Sequence, residues 1–531
     1  MDRRLLVIGL DGADWRSLDP LLDAGELPHL RALCDRGSSA RLRSVLPSVS
    51  AAAWAAFATG MDPGGTGIFN FRALDFSRPG AYHPRLIDSR DLRGHTWLER
   101  LPPDSLACVG LPLTHPPLTV PGVLLSGFPR PRLTRAPLVP AGWARRLPPW
   151  PTAEPGDAAP VSRAVEVCEL WDRYHAEVAR SLLRQRSDRL TICVLSGPDH
   201  VAHRLWTGRD GGPAVRALLT QADRLIGRLV DAAGPDADVV VLSDHGFGPA
   251  PRARFHLNRW LGRHGHLRLR EDAGSSVLGR TSSALRAWVP EDRWRTLREA
   301  VPASLRDQLF EAAGGIDRIE PGFTRAWGVA ISPELAAIQL LDEDADRRAA
   351  LAQELADALG REVLRVPGGG QRRAVVHRRD AIFGGSRLEE LPELFVELPP
   401  GWCWGNRADE GSVVDEVPAA DLKRLPGAHR RDGVLVAAGP SFRGLGRIDE
   451  SPSLLDIAPT LAGMLGIPPT AGFRGRRLDS WLSESESESE SETESESESE
   501  SETETETESE TETETEHRAD LERRLRDLGY L

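Results

Sequence analysis

Three short apolar runs each lead into an aspartate. Leu5 to Leu10 runs into Asp11-Gly12, Leu190 to Ser196 into Gly197-Pro198-Asp199, and Ala237 to Ser243 into Asp244-His245-Gly246-Phe247-Gly248. Runs this short, dominated by Val, Ile and Leu without regular polar alternation, suit strands buried on both faces. Helical stretches lie between and beside them, at Leu18 to Arg36, Ala164 to Arg186 and 214 to 233. Strands alternating with helices predict an α/β fold with a mostly parallel sheet. In open sheets of that kind ligands bind beyond the carboxyl ends of the strands. The three aspartates therefore stand where such a fold places its chemistry.

Each of these residues also has a plainer reading. Asp11 either serves a site or caps the helix that follows, and Gly9-Leu10-Asp11-Gly12 lacks the GxGxxG spacing of a dinucleotide fingerprint. On a helix starting near Asp199, Asp199 and His203 share a face and can chelate one cation, or they are an N-cap and an exposed histidine. Asp244-His245 followed by two glycines is unusual as turn chemistry alone and favours a metal site, because glycine lets backbone and ligand approach closely. Ser44 to Gly60 reads as a strand, a proline and then an Ala/Trp/Phe helix, which sets Ser50 at a helix N-terminus. There it is an N-cap or a nucleophile facing an anion held by backbone N–H groups and the helix dipole. His429 precedes a further strand and is a candidate distal ligand.

Composition narrows the function classes. Hydrophobic residues make up 40% of the 531 and charged residues 27%, ordinary for a globular chain. The net charge of −13 comes from residues 483–516, where Ser or Thr alternates with seventeen Glu; the remainder is close to balance. No nucleic-acid-binding surface is evident. The tract has no apolar residue to bury and repels itself, so it is expected to be disordered, as a spacer or a binding tail. The five cysteines (Cys34, Cys108, Cys168, Cys193, Cys403) are scattered without CxxC spacing and read as reduced thiols. The apolar run after Arg3-Arg4 is too short for a signal segment, and no run reaches membrane-spanning length, so a cytoplasmic protein without a membrane segment is expected. Nothing in the sequence fixes an oligomeric state.

Taken together, Asp11, Ser50, Asp199, His203, Asp244, His245 and His429 fit a two-metal phosphoryl-transfer site. Imidazole and carboxylate donors suit zinc, with manganese the alternative. Two cations about 4 Å apart can hold the attacking and leaving oxygens of an in-line displacement. A coordinated serine hydroxyl loses its proton more readily and becomes an effective nucleophile.

The order Asp, Ser, Asp-x-x-x-His, Asp-His-Gly, distal His resembles the alkaline phosphatase superfamily, and within it the type I phosphodiesterase/nucleotide pyrophosphatase family. The resemblance is carried by Val7-Ile8-Gly9-Leu10-Asp11-Gly12, Trp54 to Gly60, Ser243 to Gly248, Gly427-Ala428-His429-Arg430-Arg431-Asp432-Gly433 and the Leu528-Gly529-Tyr530 ending. It implies a three-layer α/β/α core with an inserted cap. It also implies one metal site of Asp199, His203 and His429, a second of Asp11, Asp244, His245 and the Ser50 oxygen, and a covalent phospho-enzyme on Ser50. Asn70 is carried over as a candidate substrate-binding residue, one position before the family's oxyanion-holding Asn, which aligns with Phe71. Ser50 stands where the family usually has Thr, Ala52 where it has Pro, and Thr66-Gly67 where it commonly has His-Gly. Trp54, four residues after Ser50, replaces the Arg that sulfatases need.

The expected divisions are 1–261 as the first part of the core, 262–375 as an inserted helical cap, 376–482 as the second part, 483–516 as the acidic tract and 517–531 as a terminal helix. The expected function is a metal-dependent phosphoesterase acting on a small-molecule phosphodiester or pyrophosphate, with nucleotides among the candidate substrates. A phosphomonoesterase or phosphomutase using the same site, and a catalytically idle scaffold, are the alternatives.

Overall fold

The structure is a computed structural model that describes residues 3–77, 82–133, 135–151, 153, 161–270, 316–365, 371–484, 518 and 520–525. Among these residues the largest sheet has nine strands. Their spatial order is Gly446–Arg447, Ser38–Arg43, Asp432–Ala438, Asp238–Leu242, Leu5–Leu10, Leu190–Leu195, Leu106–Val109, Gly122–Leu125 and Leu138–Val139. The strand Leu5–Leu10 lies at its centre and pairs in parallel with Leu190–Leu195 on one side and Asp238–Leu242 on the other. The registers Leu10↔Leu195 and Gly9↔Leu242 bring all three carboxyl ends to the same edge. Asp432–Ala438 runs antiparallel to Asp238–Leu242 and Ser38–Arg43, so its start lies at that edge beside the end of Ser38–Arg43.

Alternate residues of the central strand feed two cores, as the two-residue period of a strand requires. Leu5 and Val7 pack with the helices Ser50–Thr59 and Ile457–Met464. Leu6, Ile8 and Leu10 pack with Trp15–Asp23, Pro28–Arg36, Val161–Gln185 and Gly212–Ala233. Helices therefore cover both faces of a mostly parallel sheet, the expected three-layer α/β/α architecture. The helical stretch expected from Leu18 to Arg36 is two helices. Gly25 adopts a positive φ of 73° and Pro28 opens the second helix, where its missing N–H costs nothing.

A third apolar cluster gathers residues from Ala253 to Ala408 together with Leu46 and Phe69 of the Ser50 region, and so takes in chain on both sides of 262–375. Its framework is a four-stranded sheet, Ala326–Ala330, Leu335–Leu340, Leu394–Glu397 and Val375–Arg378, backed by the helix Ala345–Arg361. This second lobe packs on the segment that leads into and out of the Ser50 helix.

Part of the expected helical cap, 271–315, lies outside the described residues, as do 485–516 of the acidic tract and the 526–531 ending. Of the expected terminal helix, 518 and 520–525 are described and helical. Leu525 is buried in the same core as the Ser50 helix, and Arg524 Nη1 donates to the Arg130 carbonyl at 2.8 Å. No helix among the described residues is long and apolar enough to cross a membrane.

Candidate active site

Ser50 opens a ten-residue helix that is buried on every side. A helix apolar all round belongs inside a core rather than on its surface. Val49 is the N-cap, in extended conformation and without a side-chain cap bond, so Ser50 is not serving as the cap. Its hydroxyl instead meets His245 Nε2 at 3.0 Å. His245 Nδ1 donates to the Gly246 carbonyl at 3.1 Å, which leaves the Nε2 lone pair facing Ser50.

One helical turn after Ser50, Trp54 Nε1 donates to Asp11 Oδ2 at 3.1 Å. This contact depends on Gly9: a Cβ there would lie 2.6 Å from the Trp54 ring. Gly12 turns the chain with a φ of 71° and its amide donates to Asp244 Oδ1 at 3.3 Å. His245 Nε2 lies 3.2 Å from Asp244 Oδ2 and 3.7 Å from Asp11 Oδ1. Asp11, Asp244 and His245 thus offer three buried ligand atoms within 4.8 Å of one another.

The second group forms around Asp199, in the first turn of the helix Gly197–Leu205. Its Oδ1 lies 3.7 Å from His203 Nε2 and 3.4 Å from His429 Nε2, and the two imidazole nitrogens are 2.8 Å apart. His429 arrives from across the fold because Gly427–Arg430 pairs with Gly246–Pro249, setting His429 opposite Phe247. The Phe247 ring meets both imidazoles edge-on, at 4.9 Å from His203 and 5.4 Å from His429. His245 Nε2 is 4.0 Å from Asp199 Oδ1 and so stands between the two groups.

Electrostatics set the groups apart. Burial, followed by the charges of Asp244 and Asp199, raises the Asp11 carboxyl well above its ordinary value. Asp244 is pushed up to about 7, by burial first and then by Asp199. For Asp199 burial also opposes ionisation, but His203, His429 and His245 together hold it well below the usual carboxylate range. Burial pushes His203 down to about 3 and His245 well below its usual value, so both are neutral. For His429 burial is outweighed by Asp199, and its value rises.

These residues fit divalent cations. Asp11 Oδ1 and Asp244 Oδ2 are fully buried and accept no hydrogen bond from the protein. Buried carboxylate oxygens are costly unless paired or coordinated. Neutral imidazoles beside them complete a nitrogen and oxygen donor set suited to zinc.

The structure therefore brings together Asp11, Ser50, Asp199, His203, Asp244, His245 and His429. Asn70 is engaged with the second lobe: its Nδ2 donates to the Ile331 carbonyl at 3.2 Å and its Oδ1 accepts from the Phe71 amide at 2.7 Å. Sequence reasoning missed the positioning role of Trp54, whose only signal was an indole in an alanine-rich helix. It also missed Asp172, which accepts from the Gly197 amide at 3.1 Å from a different helix.

The family model described as type I phosphodiesterase/nucleotide pyrophosphatase matches residues 5–410. No curated protein matches the chain. Among solved structures, phosphonoacetate hydrolase from Sinorhizobium meliloti 1021 in complex with phosphonoformate is 16% identical with a TM-score of 0.52, over 86% of this chain and 94% of that one. Murine ectonucleotide pyrophosphatase/phosphodiesterase 5 is 14% identical with a TM-score of 0.47, over 91% of this chain and 100% of its own. The likeness to the hydrolase is one of fold.

Proposed function

This chain belongs to the type I phosphodiesterase/nucleotide pyrophosphatase family of the alkaline phosphatase superfamily, and on that premise we propose that it hydrolyses phosphodiester or pyrophosphate bonds of a small molecule through a covalent intermediate on Ser50. The observation that carries this reading is the Ser50 hydroxyl at a helix N-terminus, 3.0 Å from His245 Nε2, with five further Asp and His side chains gathered around that histidine and Asp199. Two divalent cations, zinc or manganese, held by Asp11, Asp244, His245 and Ser50 and by Asp199, His203 and His429, would supply Lewis-acid stabilisation of the attacking and leaving oxygens.

The chain's own groups define the rest. Before a cation is bound, the contact with His245 Nε2 holds the Ser50 oxygen in one orientation; with the cation in place the same nitrogen would be one of its ligands. Ser50 Oγ, its proton lost to solvent, attacks phosphorus in line, the bond to the leaving oxygen breaks so that this oxygen departs as the anion or takes a proton from water, and the phosphoryl group is carried on Ser50. Water attacks that phosphorus from the opposite side, and Ser50 Oγ departs and regains its proton. Backbone N–H groups at the start of the Ser50 helix favour the negative charge that builds on the phosphoryl oxygens. The second lobe serves as the cap over this reaction. The five free cysteines support a cytoplasmic compartment.

The test pairs metal content with turnover of bis-p-nitrophenyl phosphate against p-nitrophenyl phosphate. We expect about two zinc or manganese ions per chain, as a two-metal site requires, and a preference for the diester. Metal-free protein that stays inactive after zinc or manganese is added would overturn the reading, and a monoester preference would overturn its choice of substrate.

A further inference from the structure

We propose that Glu334, from the second lobe, is a positioning residue that orients His429 through Ser48, and so ties the order of the second ligand group to the seating of that lobe. The inference rests on the metal-site reading above for its functional meaning, and on contacts of this chain for its geometry.

Glu334 immediately precedes the strand Leu335–Leu340, and hydrogen bonds hold the main chain both at Glu334 and at its neighbour Leu335. The Ile331 and Ser332 amides both donate to the Leu335 carbonyl, at 2.9 and 3.0 Å. The Glu334 carbonyl accepts from the Leu398 amide at 2.8 Å and from Trp404 Nε1 at 3.1 Å. A side chain leaving so constrained a backbone has little freedom in where its carboxylate goes. It crosses to the first lobe, where Oε1 accepts from the Ser48 amide at 2.7 Å and also from the Ser48 hydroxyl.

Both donors belong to one buried residue, two positions before Ser50. Hydrogen bonds to a carboxylate are roughly twice as strong as neutral ones, so this pair fixes the Ser48 peptide more firmly than a turn would alone. The carbonyl of the same residue accepts from His429 Nδ1 at 2.9 Å. That bond sets the tautomer: with the proton on Nδ1, Nε2 is the nitrogen turned toward the ligand group, 3.4 Å from Asp199 Oδ1 and 2.8 Å from His203 Nε2. Partners of this kind on the far nitrogen of a metal-binding histidine set ring orientation and ligand basicity. Here the chain of contacts runs Glu334, Ser48, His429, Asp199, and its first member comes from the other lobe. Glu334 also lies in the field of Arg430 and Arg431, the two residues that follow His429.

The test compares Glu334→Ala, Glu334→Gln and Trp404→Phe with the unaltered full-length protein. Trp404→Phe removes a brace of the same lobe that does not touch Ser48. Zinc affinity is measured by competition with a chromogenic chelator, thermal unfolding is followed in parallel, and the imidazole N–H signals are observed by NMR of histidine-labelled, metal-free protein.

Glu334→Ala is expected to weaken one zinc equivalent by about 10- to 100-fold, the usual cost of losing an outer partner of a ligand, while the other equivalent is unchanged. Its His429 Nδ1–H signal should broaden or vanish. Glu334→Gln keeps an acceptor for the Ser48 amide and should restore both readouts, and Trp404→Phe should move neither. Unchanged zinc affinity and an unchanged His429 signal in Glu334→Ala, or equal losses in Trp404→Phe, would overturn the proposal and leave Glu334 a brace between lobes. Were the unaltered protein to bind no zinc, the metal reading would fall while the His429 signal still decided the role of Glu334.

Discussion

Trp54 Nε1 donates to Asp11 Oδ2 at 3.1 Å, from one turn along the helix that Ser50 begins. The helix that carries the candidate nucleophile therefore also holds a carboxylate of the first ligand group. The serine and the aspartate are set relative to each other by a single rigid element.

Replacing Trp54 with Phe keeps an aromatic ring in a fully buried place and removes only the donor. A buried carboxylate oxygen left without its partner costs about 1–3 kcal/mol. Denaturant unfolding of Trp54→Phe in the presence of chelator should show a loss of that size, and diester turnover should fall with it. Unchanged stability and turnover would mean that the indole N–H does not position Asp11.

Cation binding should depend on pH in a definite direction. In the metal-free protein burial and neighbouring carboxylates raise Asp11 and lift Asp244 to about 7. Below that value a cation must displace a proton from the Asp244 carboxyl, so binding releases protons. Zinc affinity should therefore rise as pH increases through about 7, and the gap in melting temperature between loaded and chelator-treated protein should widen over the same range. A gap that stays constant from pH 5.5 to 7.5, roughly the span over which a group near that value titrates, would contradict the electrostatic picture.

Asp172 gives a test away from the ligands. Its carboxyl is buried, and burial pushes it up to about 7 although the Gly197 and Ser196 amides oppose the shift. The folded protein keeps this proton while the unfolded chain, with an aspartate near about 3.9, gives it up. The contribution of Asp172 to stability is therefore full below about pH 4 and is lost as pH rises through about 7. Asp172→Asn retains an acceptor for the Gly197 amide and cannot ionise. The variant should gain on the natural protein steadily between those limits and be the more stable at pH 7. A difference independent of pH would contradict the shifted carboxyl.

The central strands were legible because parallel strands covered on both faces need unbroken apolar runs, and Leu5–Leu10, Leu190–Leu195 and Asp238–Leu242 have them. The motif residues were legible because ligands cluster where those runs stop. His429 was recognised by its surroundings in sequence, but its delivery opposite Phe247 depends on a two-stranded pairing that local pattern does not announce. Glu334, Trp54 and Asp172 were illegible for a related reason. Each acts through hydrogen bonds to residues distant in sequence, and a lone Glu, Trp or Asp in a chain carries no sign of its partner. The four-stranded sheet of the second lobe was illegible because its strands are short and a helix, Ala345–Arg361, separates its two halves in sequence, so no regular alternation announces it.

The most direct measurement is rapid acid quenching of the zinc-loaded protein during turnover of bis-p-nitrophenyl phosphate, followed by peptide mass spectrometry. Attack by Ser50 expels p-nitrophenolate and leaves a p-nitrophenyl phosphoryl group on the serine oxygen, so the peptide containing Ser50 should carry that added mass. The modification should be absent in Ser50→Ala, which should still bind zinc while its turnover falls by several orders of magnitude, as expected when a nucleophile is removed. An active enzyme with no adduct on Ser50 at any quench time, together with undiminished turnover by Ser50→Ala, would contradict the assignment of Ser50 as the nucleophile.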